Sequence, residues 1–197
     1  MAKKTDARVQ YTKAMFHKAL LELMALKPVA KISVRELCDG AGLNRGTFYL
    51  HYETVEDVLH EVEQEFIQKN FPTLLSYLKS ISDRPGMESK LSMSGLFQGI
   101  LSDLDTFRLL CSHGVGDGFT ETLKRAVKPN VIAEWKREFP DYSDRDLALV
   151  FDFVFAGSTR ILLSWADQPE QISAAELARD LDRLGHHALL AAEEFAK

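Results

Sequence analysis

The chain has 197 residues, of which 46% are hydrophobic and 27% are charged. This composition supplies a hydrophobic core without disulfide or metal crosslinks, and it excludes an extensively disordered chain. The amino terminus is polar and no apolar run approaches the roughly 20 residues that span a bilayer, so we expect neither a signal peptide nor a membrane helix. We therefore expect a cytoplasmic protein in which Cys38 and Cys111 are reduced packing residues.

The net charge of −5 is distributed unevenly along the chain. Residues 1–52 contain nine Lys or Arg and four Asp or Glu, whereas residues 53–197 contain 15 and 25. A basic N-terminal region followed by an acidic C-terminal region is typical of a protein that binds a polyanion at one end. An ordinary solvated surface with uneven charge gives the same pattern, so this signal alone does not decide between the two.

Apolar residues recur at helical spacing throughout, and no alternation typical of a β-strand persists, which predicts an all-α fold. The first helix is predicted over about residues 12–27, and Pro28 ends it. Ser33 and Glu36 form a capping box for a second, brief helix over residues 34–39.

The next elements are predicted from their caps. After a break at residues 40–43, Asn44 caps a third short helix over about residues 45–52. Thr54 caps a fourth helix, whose first turn is acidic and which continues toward Pro72 with a kink there.

The remaining chain is predicted to form a loop at residues 80–86 and five more helices. Three of them lie at about residues 92–104, 106–113 and 117–138. The third of these is interrupted near Pro129. The first of two long closing helices has a broad apolar face between Leu147 and Trp165. The second has a heptad seam suited to helix packing, formed by Leu177, Leu181, Leu184, Ala188, Ala191 and Phe195.

Residues 33–52 have the local pattern of a helix-turn-helix, in which two short helices are joined by a tight glycine-containing turn. The second helix of such a motif exposes polar residues at its N-terminal end, where they reach base edges in the major groove. Asn44, Arg45 and Thr47 occupy that end here, and Phe48 is predicted to anchor the helix on the core. Any two short helices with a glycine turn share this pattern, so the pattern leaves DNA binding and ordinary packing equally open.

The same region resembles the N-terminal domain of the tetracycline-repressor (TetR) family of transcription regulators. The resemblance covers about residues 10–60 and includes the apolar first helix and the sequences at residues 41–44, 46–52 and 54–59. It implies a three-helix helix-turn-helix DNA-binding domain at residues 1–54. A ligand-binding and dimerising helical bundle would then occupy residues 55–197, with about nine helices in total.

The resemblance also implies roles for individual residues. Arg45 and Thr47 would read bases, and Arg45 is the best candidate for a bidentate guanine contact. Phosphate contacts are implied for Ser33, Arg35, Tyr49, His51 and Tyr52, with weaker ones for Lys13 and Lys31. The alternative interpretations are a helix cap alone for Asn44, an ordinary surface histidine for His51 and a half-buried core position for Tyr52.

One position departs from the family pattern. The family commonly has a lysine near the start of the fourth helix, where it contacts phosphate, and this chain has Val55. Loss of one phosphate contact lowers the slope of log affinity against log salt concentration by roughly 0.9. The departure leaves open an adaptor or co-activator of the same fold that acts mainly through a protein partner.

The remainder of the chain looks like the C-terminal domain of a TetR subgroup that includes regulators related to dihydroxyacetone-kinase control, over residues 157–165 and 169–178. The resemblance implies a homodimer through the last two helices on a pseudo-palindromic operator, although these apolar faces could instead pack within one monomer. It also implies repression released by an unidentified small molecule. Candidate pocket residues, each of which is also a plausible core residue, are Phe97, Phe107, Phe119, Trp135, Phe151 and Trp165.

An enzyme is the remaining class to consider. The sequence has no phosphate-binding loop, dinucleotide glycine pattern, nucleophile elbow or metalloprotease helix. His186 and His187 are adjacent on a helix and point about 100° apart, so they do not chelate a metal readily. We therefore expect no catalytic activity, no metal and no cofactor.

Overall fold

The computed structural model describes residues 2–82, 94–113, 118–167 and 171–191, and within these ranges every regular element is helical. This confirms the all-α prediction with about nine helices. A single 3-10 turn lies at Val29–Lys31. The α-helices are α1 Ala2–Met24, α2 Val34–Ala41, α3 Arg45–Tyr49, α4 Val55–Ser82, α5 Ser94–Ser102, α6 Leu104–His113, α7 Gly118–Glu138, α8 Asp144–Ala166 and α9 Ala174–Ala191.

The chain divides into two compact units. The first unit comprises Met1–Phe66 and Asp105–Phe119, and the second comprises Ile67–Leu104 and Thr120–Lys197. The helix-turn-helix segment therefore lies within the first unit, and both closing helices lie within the second.

The core of the first unit forms around apolar residues spaced by one helical turn. Phe16 and Leu20 on α1 are fully buried, as is Leu37 on α2. Phe48 on α3 is also fully buried and meets the ring of Phe16 edge to face, with ring centroids 5.5 Å apart. The short helices α2 and α3 are thus held by tertiary packing, since isolated helices of this length are unstable in water.

Several helix boundaries differ from those predicted. Helix α1 begins at Ala2, well before the expected residue 12, and ends at Met24. Helix α2 continues to Ala41, and α3 ends at Tyr49 instead of residue 52. Helix α4 extends to Ser82, and the rest of the predicted loop, residues 83–86, lies outside the described residues.

The predicted interruption of the helix near Pro129 is wrong. Helix α7 is assigned without a break from Gly118 to Glu138, with Pro129 inside it and exposed. Proline deletes one backbone donor and crowds the preceding turn, which commonly kinks a helix. Here the flanking turns bury Val127 and Val131, so packing maintains the helix on both sides.

In the second unit, α8 and α9 pack against each other. A Cβ atom placed on Gly185 would lie 3.3 Å from Cγ1 of Val154, so this glycine permits close approach of the two helices. The predicted heptad seam on α9 is divided between two faces: Leu177 and Leu181 are buried, whereas Leu184 is 61% exposed. Ala188 is half-buried and Ala191 is exposed, while Phe195 lies outside the described residues.

Helix α8 is long and apolar enough to cross a membrane by length and composition alone. The core helix of a water-soluble protein has the same composition, and α8 buries one face that includes Leu147, Phe151 and Phe155.

Candidate nucleic-acid interface

The start of α2 is fixed by a complete capping box. Ser33 Oγ accepts a hydrogen bond from the Glu36 backbone N–H at 3.3 Å, and the Glu36 carboxylate accepts one from the Ser33 N–H at 3.0 Å. Lys27 Nζ donates to the same carboxylate at 2.6 Å. The hydrogen bond from Lys27, followed by those from Ser33, lowers the pKa of Glu36 from 4.5 to about 2. The predicted capping box is confirmed.

The turn between α2 and α3 requires a glycine. Gly42 has φ 65° and ψ 29°, which is the left-handed region that residues with a Cβ atom rarely adopt. The backbone N–H of Gly42 donates to the Asp39 carbonyl, and that of Leu43 donates to the Cys38 carbonyl. The last carbonyl groups of α2 are therefore satisfied as the chain reverses.

Asn44 caps α3, as predicted. Its Oδ1 accepts hydrogen bonds from the Thr47 backbone N–H at 2.8 Å and from the Thr47 hydroxyl at 3.1 Å. A Cβ atom on Gly46 would lie 3.2 Å from this oxygen, so the glycine leaves room for the cap. The proton of the Thr47 hydroxyl is committed to Asn44, which leaves its oxygen lone pairs as the groups that can meet another molecule.

Helix α3 has one buried face and one exposed face. Phe48 is fully buried, whereas Arg45 is exposed and Tyr49 is 61% exposed. Arg45 and Tyr49 are four residues apart and therefore lie on one side of the helix. The exposed side presents a guanidinium and a phenol, and the opposite side is anchored in the core.

The other predicted contact residues differ in accessibility. Ser33, Arg35 and Asn44 are exposed, whereas Thr47 and His51 are half-buried. The Arg35 guanidinium lies 3.7 Å from the Asp39 carboxylate in an exposed ion pair, which is too weak to hold it away from a phosphate.

Two residues with predicted phosphate contacts have other hydrogen-bond partners in this arrangement. Tyr52 is 6% exposed, and its hydroxyl donates to Glu61 Oε2 at 2.6 Å. Lys13 Nζ is paired with Glu61 Oε1 at 2.7 Å. Both residues belong to a partly buried polar network, which the sequence did not reveal. Lys31 is exposed, so its predicted weak contact remains a prediction.

The centre of this network is His17, which is 6% exposed. Its Nε2 lies 3.0 Å from the Tyr52 hydroxyl, and its Nδ1 lies 3.0 Å from Glu65 Oε2. We call the set of Lys13, His17, Tyr52, Glu61 and Glu65 the α1–α4 network. The sequence contains two i, i+4 pairs that could have indicated this network. They are Lys13 with His17 and Glu61 with Glu65.

The surroundings of the network favour an ionised Glu61 carboxylate and a neutral Tyr52 phenol. Burial disfavours the charged Glu61 carboxylate, but the hydrogen bonds from Lys13 and Tyr52 outweigh burial and lower the pKa of Glu61. Burial, and then the hydrogen bond to Glu61, raise the pKa of Tyr52 above its ordinary value. The Tyr52 hydroxyl therefore keeps its proton and donates a hydrogen bond to Glu61.

His17, Glu61 and Glu65 bring ligand atoms within 4.8 Å of one another, a spacing that a metal ion could use. The carboxylates, however, lie at different ring nitrogens: Glu65 is near Nδ1, and Glu61 is 3.6 Å from Nε2. A ring nitrogen binds a metal along its own lone pair, so one ion cannot be held by this ring and both carboxylates as they stand. Lys13 also neutralises Glu61, and we assign no metal to the network.

Val55, the departure from the family pattern, is 5% exposed and belongs to the core of the first unit. The chain therefore presents no cation at that position. The first turn of α4 instead has Asp57, whose carboxylate accepts a hydrogen bond from the Thr54 backbone N–H at 2.8 Å.

The predicted pocket residues fall in both units. Phe107 and Phe119 lie in the first unit, where both rings pack against Phe66 with centroids 6.2 and 5.4 Å away. Trp135 and Phe151 pack together in the second unit, with centroids 6.1 Å apart.

The predicted pocket residues Phe97 and Trp165 differ in burial. Phe97 is 1% exposed in the second unit. Trp165 is half-buried and donates its indole N–H to the Ile172 carbonyl at 2.9 Å. Among the described residues, the indole Nε1 of Trp135 is buried and has no hydrogen-bond partner.

Residues 17–62 match the family described as bacterial regulatory proteins, tetR family. The matched range begins in the middle of α1 and ends within α4, so it includes α2, the Gly42 turn and α3. No curated protein matches the chain.

Proposed function

Because residues 17–62 match the tetR family of bacterial regulatory proteins, we propose that this chain is a DNA-binding transcription regulator and that α3 reads the operator through Arg45, Thr47 and Tyr49. Helix α3 supports this proposal because it has one exposed polar face and one buried face. Its polar side chains are exposed at the N-terminal end, while Phe48 fixes the helix from behind. A recognition helix enters the major groove in this orientation.

Each side chain has a distinct role in the proposal. The Arg45 guanidinium donates two parallel hydrogen bonds to O6 and N7 of a guanine. Thr47, whose hydroxyl proton is held by Asn44, accepts a hydrogen bond from a base amino group or packs its methyl group on a thymine. The Tyr49 hydroxyl contacts phosphate, and together with Ser33, Arg35 and His51 it sets the register of the helix.

We assign the exposed apolar surface of α8 and α9 to a second copy of this chain. Phe153 is 73% exposed and Leu184 is 61% exposed, and both line a shallow apolar groove with Gly157 and Ile161. Large exposed apolar side chains that cluster mark a protein interface. A two-fold dimer formed there would present two copies of α3 to operator half-sites about one or more helical turns apart.

The dimer is tested with Leu184→Asp, which places a charge in the centre of the groove. We expect the sedimentation coefficient to fall to that of a monomer, with unchanged helical content. The matched control is Leu26→Asp, because Leu26 is 81% exposed and belongs to the first unit. A dimeric Leu184→Asp protein would place the dimer interface elsewhere.

A small-molecule ligand that releases a repressor from DNA is part of the same proposal. Trp135 supports a site in the second unit, because its buried indole N–H is a donor without a partner among the described residues. Burying such a donor unpaired costs about 1–3 kcal/mol, which a ligand acceptor would recover. The ligand must bind better to the conformation that does not fit the operator, or it would not change DNA binding. We place the protein in the cytoplasm, with its operator.

A second candidate function is an adaptor of the same fold that acts mainly through a protein partner. The burial of Val55 and the pairing of Lys13 with Glu61 favour it, because both reduce the number of cations available for phosphate. Each lost phosphate contact lowers the slope of log affinity against log salt by roughly 0.9.

Selection of bound fragments from a random duplex pool by the purified full-length protein separates these functions. We expect a palindromic consensus that is lost with Arg45→Ala and retained with Arg125→Ala, which alters an exposed arginine of the second unit. Enrichment of no sequence above the input pool by the wild-type protein would favour the adaptor.

A further inference from the structure

Two residues of the α3 region lie directly opposite the core. Because an α-helix turns by about 100° per residue, Gly46 and Leu50 each lie about 160° from Phe48, which is fully buried. Both residues are exposed, and the side chain of Leu50 lies in a residue that is 79% exposed. Leu50 directly follows α3, and its φ of −76° and ψ of −18° continue the helical path. The part of this helix farthest from the core is therefore apolar.

Gly46 and Leu50 are one turn apart and share one side of the helix. Side chains on a helix lean toward its N-terminus, so Leu50 covers the turn that contains Gly46, where no side chain takes up the space. Arg45 and Tyr49 flank this apolar strip on one side, and Thr47 flanks it on the other. A leucine is thus in the middle of the surface that the proposed function directs into the major groove.

The chemistry of the major groove limits what this leucine can recognise. The base edges there present hydrogen-bond donors and acceptors and one apolar group, which is the C5 methyl of thymine. A leucine placed against a donor or an acceptor would remove its water without replacing the hydrogen bond, which is unfavourable. A leucine placed against the methyl group buries apolar surface on both partners, which is favourable. An apolar side chain in this position therefore selects thymine.

We propose that Leu50 is a specificity-determining residue, which packs on the C5 methyl group of a thymine in each operator half-site. This role deepens the proposed DNA-binding function and rests on it. Leu50 lies five residues after Arg45, which is about 7.5 Å along the helix axis, and base pairs are stacked about 3.4 Å apart. A recognition helix lies in the groove, so we expect this thymine within about three base pairs of the guanine that Arg45 contacts.

Exposure alone does not distinguish Leu50, because single exposed leucines are common on protein surfaces. Leu26 is 81% exposed and also belongs to the first unit, but it follows α1 and lies outside the helix-turn-helix. Leu50 differs in its position opposite Phe48, next to the side of the helix that carries Arg45. It also lies within residues 1–52, whose nine Lys or Arg against four Asp or Glu favour a polyanion as the occupant of this face.

Replacement of thymine by deoxyuridine tests the contact, because it removes the C5 methyl group and leaves base pairing unchanged. In a duplex selected from the random pool, each consensus thymine of one half-site is replaced in turn, and the dissociation constant of the full-length protein is measured. At one position, wild type should bind the deoxyuridine duplex about fourfold more weakly, which is the factor for burial of one methyl group. Leu50→Ala should bind the two duplexes equally well.

Two further variants and one selection serve as controls. Leu26→Ala truncates an equally exposed leucine and should keep the fourfold ratio, as should Leu50→Met, whose side chain is apolar and of similar size. Selection from the random pool with Leu50→Ala should keep the consensus guanine and lose the preference for thymine. Retention of the guanine distinguishes loss of one contact from displacement of α3.

The outcomes separate this inference from the function on which it rests. Equal thymine-to-deoxyuridine ratios for wild type and Leu50→Ala at every position, or a consensus without thymine, would overturn the inference and leave α3 as the DNA reader. Loss of both the guanine and the thymine preference in Leu50→Ala would also overturn it, because Leu50 would then act through the position of α3. Enrichment of no sequence by wild type would refute the proposed DNA binding itself, and this inference with it.

Discussion

The substitution Phe48→Ala removes the side chain that holds α3 on the core of the first unit. Phe48 is fully buried and meets Phe16 edge to face at 5.5 Å, with its ring also near that of Tyr52. Phe-to-Ala changes in protein cores cost about 3–5 kcal/mol, and a well-oriented ring pair contributes about 0.5–1.5 kcal/mol of its own. Because Phe48 has both features, we expect a loss of about 4–5 kcal/mol from the free energy of unfolding of the first unit.

Hydrogen exchange of the α2 and α3 amides measures this loss locally, which avoids treating two units as one cooperative transition. Each 1.4 kcal/mol accelerates exchange about tenfold, so the rates should rise by roughly three orders of magnitude. The control is Leu50→Ala, two residues along the chain at a side chain that is 79% exposed. A similar, small effect of both substitutions would show that Phe48 does not anchor α3.

Two further predictions concern the helix-turn-helix backbone. Glu36→Gln should weaken the pH dependence of stability as the pH falls from 4.5 to about 2. Wild-type Glu36 stabilises the fold above its unfolded pKa and loses that contribution as it protonates. Acid titration followed by circular dichroism measures this difference, and identical curves for the two proteins would contradict it. Gly42→Ala should destabilise the first unit by about 1–2 kcal/mol, because Gly42 has a positive φ. Gly40→Ala in the last turn of α2 should instead stabilise the first unit by about 0.5–1 kcal/mol. Urea unfolding of the two variants measures both effects, and equal effects would refute the role of the backbone conformation at Gly42.

Local features of the fold were predictable because they depend on neighbouring residues. Ser33 with Glu36 and Asn44 with Thr47 form caps whose donors and acceptors lie three residues apart, so the sequence contains all that they require. The start of α3 at Arg45 was predicted correctly for that reason.

Features that depend on tertiary contacts were predicted less well. Tyr52 was expected to contact phosphate, yet its hydroxyl lies between His17 and Glu61, which come from two other helices. Single-sequence patterns place Lys13 beside His17 and Glu61 beside Glu65, but they do not show that the two pairs face each other.

The α9 seam shows the same limitation. A heptad pattern placed Leu184 with Leu177 and Leu181, but α9 turns a different stripe toward α8, where Gly185 allows close approach. The packing partner decides which of two overlapping apolar stripes is buried, and the sequence of α9 alone does not identify that partner.

A double-mutant cycle shows whether Arg45 contacts a guanine in the major groove. Binding of wild type and Arg45→Ala is measured to the selected duplex and to one in which the consensus guanine is replaced by 7-deazaguanine, which lacks the N7 acceptor. We expect either change alone to cost about 1–3 kcal/mol, with little further loss when both are combined. Full additivity of the two losses would show that Arg45 and that guanine do not touch, and it would contradict the proposed orientation of α3.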